Sequence, residues 1–471
     1  MCKIEYFMIG RKIELKHLDS LYASKDAKIC VIYGRRRIGK SYLIKHWCHH
    51  KQAIYIEGIE GQHSHYQINI FKEQLATFLK EPRLMKIQFK DWKALLDEFT
   101  ECLKTEKLKK TKTILILDEI QWLAAGQSKL ISLLKHYWDT HWSQLNFMLI
   151  ICGSVASYVV EKVIKSKALY GRISSQLLLT ELPPNESAML LNKRGQDEVL
   201  KYLMLLGGVP KYLIEINQKK SFNENIAELC FKQTGFFYNE MEKIFYSQFR
   251  EAKTYSKIVE ALADRPLSLG EICKKLKVPS SGGIKNYVSI LEMARLIRSY
   301  TPVNQTSNKY KRYKLFDEFL IFYFKFIKPS QNLISESTNI NIFKSRVLPI
   351  WRPWLGIAFE RFCHKNAFHL ATCAGFQNEI LAFGPYVSKE RGVQIDLIYQ
   401  RENNIYTVVE IKSSDSAIDV DVIKEVETKI NKINFSKKYT IEKMLIAPSG
   451  VTSAVKKIDY FTHILTLKDI F

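Results

Sequence analysis

Apolar residues fall along this chain in three regimes. In the first 180 residues, short unbroken runs alternate with amphipathic stretches: Ile29 to Tyr33, Ala53 to Ile56, Thr113 to Leu117 and Phe147 to Cys152. Uninterrupted runs of this length predict parallel strands covered on both faces. The segments between them predict helices, so the region reads as a parallel α/β sheet. Ahead of the first strand, Ile13, Leu15, Leu18 and Leu21 share one helix face. From Pro183 to Arg250 the strands give way to helical periodicity, broken at Gly207-Gly208-Val209-Pro210. Between residues 251 and 330 the pattern predicts three helices, with Ser268 capping the second. Leu296 to Tyr300 and Lys311 to Leu315 then alternate like the strands of a wing, giving a winged helix-turn-helix outline. A polar linker, Ser330 to Asn341, leads to a last region where Val393–Tyr399 and Ile405–Lys412 predict a hairpin.

The first strand runs into Gly34-Arg35-Arg36-Arg37-Ile38-Gly39-Lys40-Ser41, which fits G-x-x-x-x-G-K-[ST] with a helix following. A strand, a glycine loop and a helix N-terminus aim backbone N–H groups at one spot, which suits polyphosphate. ATP is the expected ligand, with Lys40 on its phosphates and Ser41 on Mg²⁺. Asp118 and Glu119 end the third apolar run and Ser154 ends the fourth, at the carboxyl edge where such sheets bind ligands. Asp118 is expected to support Mg²⁺, Glu119 to orient the attacking water, and Ser154 to sense the γ-phosphate. Arg172, in Leu169-Tyr170-Gly171-Arg172, has two readings: a transition-state finger, or the partner of a surface carboxylate.

Charge changes this picture. The formal net charge is +23, from 71 Lys and Arg against 48 Asp and Glu. From Ser268 to Leu315 there are ten Lys or Arg against Glu271 and Glu292. That density predicts contact with the phosphate backbone of nucleic acid, double-stranded DNA in particular. Only Lys285 and Asn286 offer base-reading side chains on the third helix, so weak sequence specificity is expected. Nine scattered cysteines with no CxxC pair indicate a reducing compartment. No apolar run is long enough to span a bilayer, and the expected location is the cytoplasm, away from membrane.

The hairpin carries a second candidate site. A turn centred on Asn403 sets Asp396 and Glu410 opposite each other, and period-2 alternation puts Lys412 on the same face as Glu410. Opposed carboxylates repel unless something binds them, and a divalent cation is the expected occupant. A metal on Asp396 and Glu410, with Lys412 beside it and Glu360 as a further carboxylate, suits phosphodiester hydrolysis.

The chain resembles the archaeal-type P-loop ATPases of the AAA+/STAND branch. The resemblance rests on Gly10-Arg11-x-x-Glu14, the arginine-rich loop Gly34 to Ser41, Leu117-Asp118-Glu119-Ile120-Gln121-Trp122-Leu123, Gly153-Ser154, Leu169 to Arg172 and Gly207 to Pro210, and it covers nearly the full chain. It implies that Gly10 and Arg11 lie near the adenine and that Arg172 senses phosphate. It also implies a C-terminal domain resembling PD-(D/E)xK nucleases, whose pattern lands on Glu360, Asp396, Glu410 and Lys412. The expected fold class is α/β: a P-loop parallel-sheet ATPase domain (1–180), a helical lid (181–250), a winged helix-turn-helix (251–330) and a nuclease-like α/β domain (331–471). The expected function is an ATP-hydrolysing, DNA-associated protein whose nucleotide state controls a metal-dependent nuclease-like domain, as a monomer or homo-oligomer. The rival is a STAND-like ATP switch that binds DNA or protein without cleaving.

Overall fold

A computed structural model describes residues 8–471 apart from 106–107, 109, 125–128, 154–157, 250, 280–281, 306, 337–340, 389–391 and 434. The chain divides into two compact units, Met1–Thr180 and Glu181–Phe471.

The first unit is a five-stranded sheet of β1 (Lys28–Tyr33), β2 (Ala53–Glu57), β3 (Thr113–Asp118), β4 (Phe147–Gly153) and β5 (Ser175–Leu178). All neighbours pair in parallel, in the order β2-β3-β4-β1-β5. Alternation along each strand sorts residues between two cores. Ile114 and Ile116 join Ile32, Ile150 and the helices Lys12–Ala23 and Lys40–Cys48 on one face. Leu115 and Leu117 join Val31, Ile151 and the helices Ser64–Leu79, Trp92–Leu103 and Lys129–Thr140 on the other. Every residue of β3 and β4 is buried, as two-sided cover requires. In the first helix Leu18 is buried, but Ile13 is 83% exposed and belongs to no core. The expected apolar face is therefore one residue shorter at its start.

The second unit opens with helices, among them Pro184–Leu190, Gln196–Leu206, Pro210–Ile214, Phe222–Cys230 and Glu240–Gln248. The Gly-Gly break is dictated by close approach. A Cβ at Gly208 would lie 2.1 Å from the Leu182 carbonyl oxygen, and one at Gly207 would lie 2.7 Å from Glu318 Oε2 and 3.1 Å from Glu181 Oε2. Those two carboxylates share the ammonium of Lys365. The helices Ala252–Ala261, Leu269–Leu276 and Gly282–Met293 follow, and then the antiparallel ribbon β6 (Ile297–Tyr300) and β7 (Arg312–Leu315). Three helices followed by a two-stranded ribbon is the element order that the sequence pattern predicts. Ser268 caps the middle helix through a full capping box with Glu271. The segment expected as a polar linker is in part the helix Gln331–Glu336. Its Ile334 is buried, and that apolar anchor is what folds it. Phe322, Phe326, Trp351 and Trp354 form an aromatic core, with the two indoles stacked at 5.0 Å.

The C-terminal sheet has the order β12-β11-β10-β9-β8. Its strands are β8 (Ile380–Ser388), β9 (Val393–Arg401), β10 (Ile405–Ile411), β11 (Thr440–Ile446) and β12 (His463–Leu465). The first three pair antiparallel and the last three parallel. The eight described cysteines are free thiols.

Candidate functional site

The loop after β1 is shaped by backbone demands that only some residues meet. A Cβ at Gly34 would lie 2.4 Å from the Leu179 carbonyl oxygen, so no side chain fits there. Arg37 and Gly39 take positive φ values of 74° and 91°. Gly39 caps the helix Lys40–Cys48 with no side-chain bond, which leaves the first N–H groups of that helix facing the loop. Lys40 is 5% exposed and its Nζ donates to the carbonyls of Gly34 and Arg35 at 3.1 and 3.0 Å. Arg35 and Ile38 are buried, Arg37 is half-buried and Arg36 is exposed. Arg11, at φ 61°, is buried beside this loop; it donates to the carbonyls of Ile38 at 3.2 Å and Thr180 at 2.5 Å and pairs with Glu14 at 3.0 Å. With Gly10 at φ 70°, it buttresses the loop through backbone contacts.

β4 lies between β1 and β3, and across it Ser41 Oγ donates to Asp118 Oδ2 at 2.6 Å. Asp118 is wholly buried; the Tyr55 hydroxyl donates to the same oxygen, and Oδ1 accepts the Glu119 backbone N–H at 2.9 Å. Burial, then the neighbouring Asp118 charge, raises the Tyr55 pKa. Glu119 takes φ 51° at the strand end, where its Oε2 accepts from Gln121. A hydroxyl and a carboxylate oxygen held together are hard donors of the kind Mg²⁺ takes. Ser154 lies outside the described residues. Arg172 pairs with a surface carboxylate: Nε and Nη2 donate to Asp139 at 2.5 and 2.8 Å, and Nη1 to the Tyr170 carbonyl at 3.1 Å. The short Ser166–Arg172 turn carries it back over the Lys129–Thr140 helix, where Asp139 sits in the last turn.

In the C-terminal sheet, β9 and β10 pair from Ile405↔Arg401 to Val409↔Leu397. That is the expected register, and the pairing ends one step short of Glu410 and Asp396. Glu360 comes from the helix Trp351–Lys365; burial first, and then Asp396 and Glu410, raise its pKa. Glu360 therefore lies within electrostatic reach of both other carboxylates. Lysines stand beside one of these carboxylates. Glu410 is buried and accepts from Lys429 at 2.6 Å, with Lys412 at 3.3 Å. Lys412 also pairs with Glu425. Burial opposes its charge, but Glu425 and Glu410 outweigh that and hold its pKa above the ordinary lysine value. Asp396 accepts from Gln394 Nε2 at 3.2 Å. Among the described residues no group of three or more His, Cys, Asp or Glu is set to hold a metal ion.

Residues 8–216 match the model of an ATPase domain found predominantly in Archaea. The chain carries an archaeal-type ATPase domain. In this ATPase, residues 323–430 match a second model, of archaeal and bacterial proteins of unknown function. An uncharacterized protein of Methanocaldococcus jannaschii is 29% identical over 413 residues, covering 86% of this chain and 88% of its own. Among solved structures, the Walker-type ATPase of Pyrococcus abyssi shares the fold. Its TM-score is 0.53 at 19% identity, over 68% of this chain and 96% of that one. No helix among the described residues is long and apolar enough to cross a membrane.

Sequence reasoning missed three side chains. Tyr55 sits on β2, and its signal was a polar ring in a strand beside the acidic one. Lys429 was legible only as the partner of Glu425 one helical turn away in Asp421–Ile433; that helix carries the pair over Glu410 and Lys412. Gln394 is two residues before Asp396 and so on its strand face.

Proposed function

We propose that this protein is a Mg²⁺-dependent ATP hydrolase whose nucleotide state governs a nuclease-like C-terminal domain acting on DNA. In this reading Lys40 and the loop N–H groups hold the phosphates, and Ser41 with Asp118 holds Mg²⁺, which would neutralise phosphate charge. Glu119 orients water. The basic segment Ser268–Leu315 engages the DNA backbone, with Lys274, Lys277 and Lys285 exposed on its helices. The single observation that carries the nuclease half is the meeting of Glu360, Asp396 and Glu410, with Lys412 two residues on. A carboxyl raised by burial and by neighbouring carboxylates, as Glu360 is, is a common mark of a functional site. There, Lys412 would stabilise developing phosphoryl charge, and a divalent ion would polarise the phosphodiester. The four-domain division, 1–180, 181–250, 251–330 and 331–471, belongs to this proposal.

A second reading has its own support. Lys429 and Lys412 already neutralise Glu410, which suits an ATP switch that binds DNA or protein through an inert nuclease-like platform.

The test is incubation of purified protein with plasmid and Mg²⁺ or Mn²⁺, with and without ATP, beside Asp396→Asn and Lys40→Ala. Cleavage that disappears in Asp396→Asn is the expected result. DNA binding without cutting in either metal overturns the nuclease half and leaves the switch.

A further inference from the structure

The loop joining β6 to β7 is tied to the C-terminal sheet. Val303 N donates to the Pro385 carbonyl at 2.9 Å, and Asn304 Nδ2 donates to the Val387 carbonyl at 2.8 Å. Between ribbon and sheet lies a cleft of about 820 Å³. That volume is within the range of sites that enclose an organic ligand, roughly 300–1,000 Å³.

The lining is chemically specific. Tyr406 is the hub of an aromatic patch, with ring centroids 5.3 Å from Phe435 and 4.7 Å from Tyr439, while Tyr386 lies 6.1 Å from Phe435. These rings are only half-buried and line the open cleft. Opposite them stand Tyr300, Tyr310 and Arg312 of the ribbon. Cations sit over two of the lining rings: Lys438 Nζ is 4.9 Å from the Tyr439 ring and Lys309 Nζ is 5.0 Å from the Tyr310 ring. Among the described residues that line the cleft there is no Asp or Glu. A wall of half-exposed aromatic rings fringed by ammonium groups, with no carboxylate, selects a ligand that combines flat π faces with negative charge.

We infer that this cleft binds single-stranded nucleic acid, its bases stacked on Tyr386, Tyr406 and Tyr439 and its phosphates on Arg312 and the flanking lysines. Bases inside a duplex are stacked on each other and offer no face to such rings, whereas unpaired bases do. Gln394 gives the cleft its consequence. It lines the cleft and also donates to Asp396 at 3.2 Å. Strand held in the cleft is thereby led to the carboxylate group. That last step rests on the proposed nuclease reading, and it names the substrate form: an unpaired segment.

The test is fluorescence anisotropy of the full chain in EDTA, where no metal-dependent cleavage occurs, with a labelled fifteen-nucleotide oligothymidylate and a duplex of equal length. The oligothymidylate is expected to bind about tenfold tighter than the duplex, and Tyr406→Ala or Tyr439→Ala to weaken it about tenfold, given the stacking energies measured per base. Tyr406→Phe should bind like the parent. Because Tyr406 also packs on Phe435, a second measurement avoids variants. Photocrosslinking of 5-iodouracil oligonucleotide to the unmodified chain should label the peptides carrying Tyr386, Tyr406 or Tyr439. Equal affinity for duplex, or crosslinks confined to other peptides, overturns the inference. Tight binding of the single strand with no cleavage in Mg²⁺ or Mn²⁺ sinks the nuclease reading alone. Duplex cleavage unaffected by Tyr406→Ala sinks this inference alone.

Discussion

Ser41 and Asp118 share a hydrogen bond of 2.6 Å although 77 positions separate them. The bond ties the helix after the glycine loop to the acidic strand end, and with Tyr55 it saturates one carboxylate oxygen. Ser41→Ala removes a ligand without removing the charge. ATP hydrolysis should fall by about two orders of magnitude at limiting Mg²⁺, with partial recovery at high Mg²⁺. Hydrolysis assays across a Mg²⁺ titration check this, and an unchanged curve would count against the role given to Ser41.

Lys40 and Glu119 should separate binding from turnover. Lys40→Ala deletes the ammonium at the centre of the loop, so nucleotide affinity should drop at least about tenfold. Glu119→Gln keeps shape and hydrogen bonding but removes the base. Binding should persist while hydrolysis slows by about 10²–10⁴-fold. Equilibrium binding beside single-turnover hydrolysis reads both.

Arg172 gives a prediction with a sign on either side. Its partner Asp139 is at the surface, and exposed pairs contribute about 0–1 kcal/mol. Arg172→Ala should therefore leave the thermal midpoint nearly unchanged. A drop of tenfold or more in hydrolysis alongside that small shift would support the phosphate-sensing role implied by resemblance, and unchanged hydrolysis would leave the surface pair.

Lys365 holds two buried carboxylates, Glu181 and Glu318, and burial pushes the Glu318 carboxyl up to about 7. A carboxyl with a raised folded-state pKa binds more protons when folded. Its contribution is complete below its unfolded value and is lost as pH rises through about 7. Lys365→Met leaves two facing carboxylates, which should destabilise the fold by about 3–5 kcal/mol at pH 8 and less at pH 5. Denaturation at both pH values checks the sign; a larger loss at pH 5 would refute it.

Gly208→Ala would drive a Cβ to 2.1 Å from the Leu182 carbonyl oxygen, whose own N–H donates back to Gly208. Backbone must move, so a loss of about 3 kcal/mol is expected. Chemical denaturation measures it.

Much of this was written in local pattern. The runs at Ile29, Thr113 and Phe147 are apolar at every position, and only a strand covered on both faces needs that. Asn403 and Asn404 take φ 58° and 56°, left-handed values that asparagine tolerates, so the turn and the β9–β10 register followed. Other features depend on partners remote in sequence. Nothing near Glu410 announces Lys429, because an i, i+4 pairing with Glu425 explains that lysine equally well. Ile13 looked like core because spacing marks a face but does not say where the face stops. The Gly207-Gly208 break was visible as a break, yet its cause is a carbonyl at Leu182 and carboxylates at Glu181 and Glu318.

The position of β4 has a consequence for how the chain comes off the ribosome. Both halves of the nucleotide site, the glycine loop and the Asp118 strand end, are synthesised by residue 119, but β1 and β3 are not neighbours. Residues 147–153 must insert between them before Ser41 can meet Asp118. The Ser41–Asp118 bond therefore depends on a strand made later than either residue, and the expected Mg²⁺ pair is assembled only once the central strand has closed the sheet.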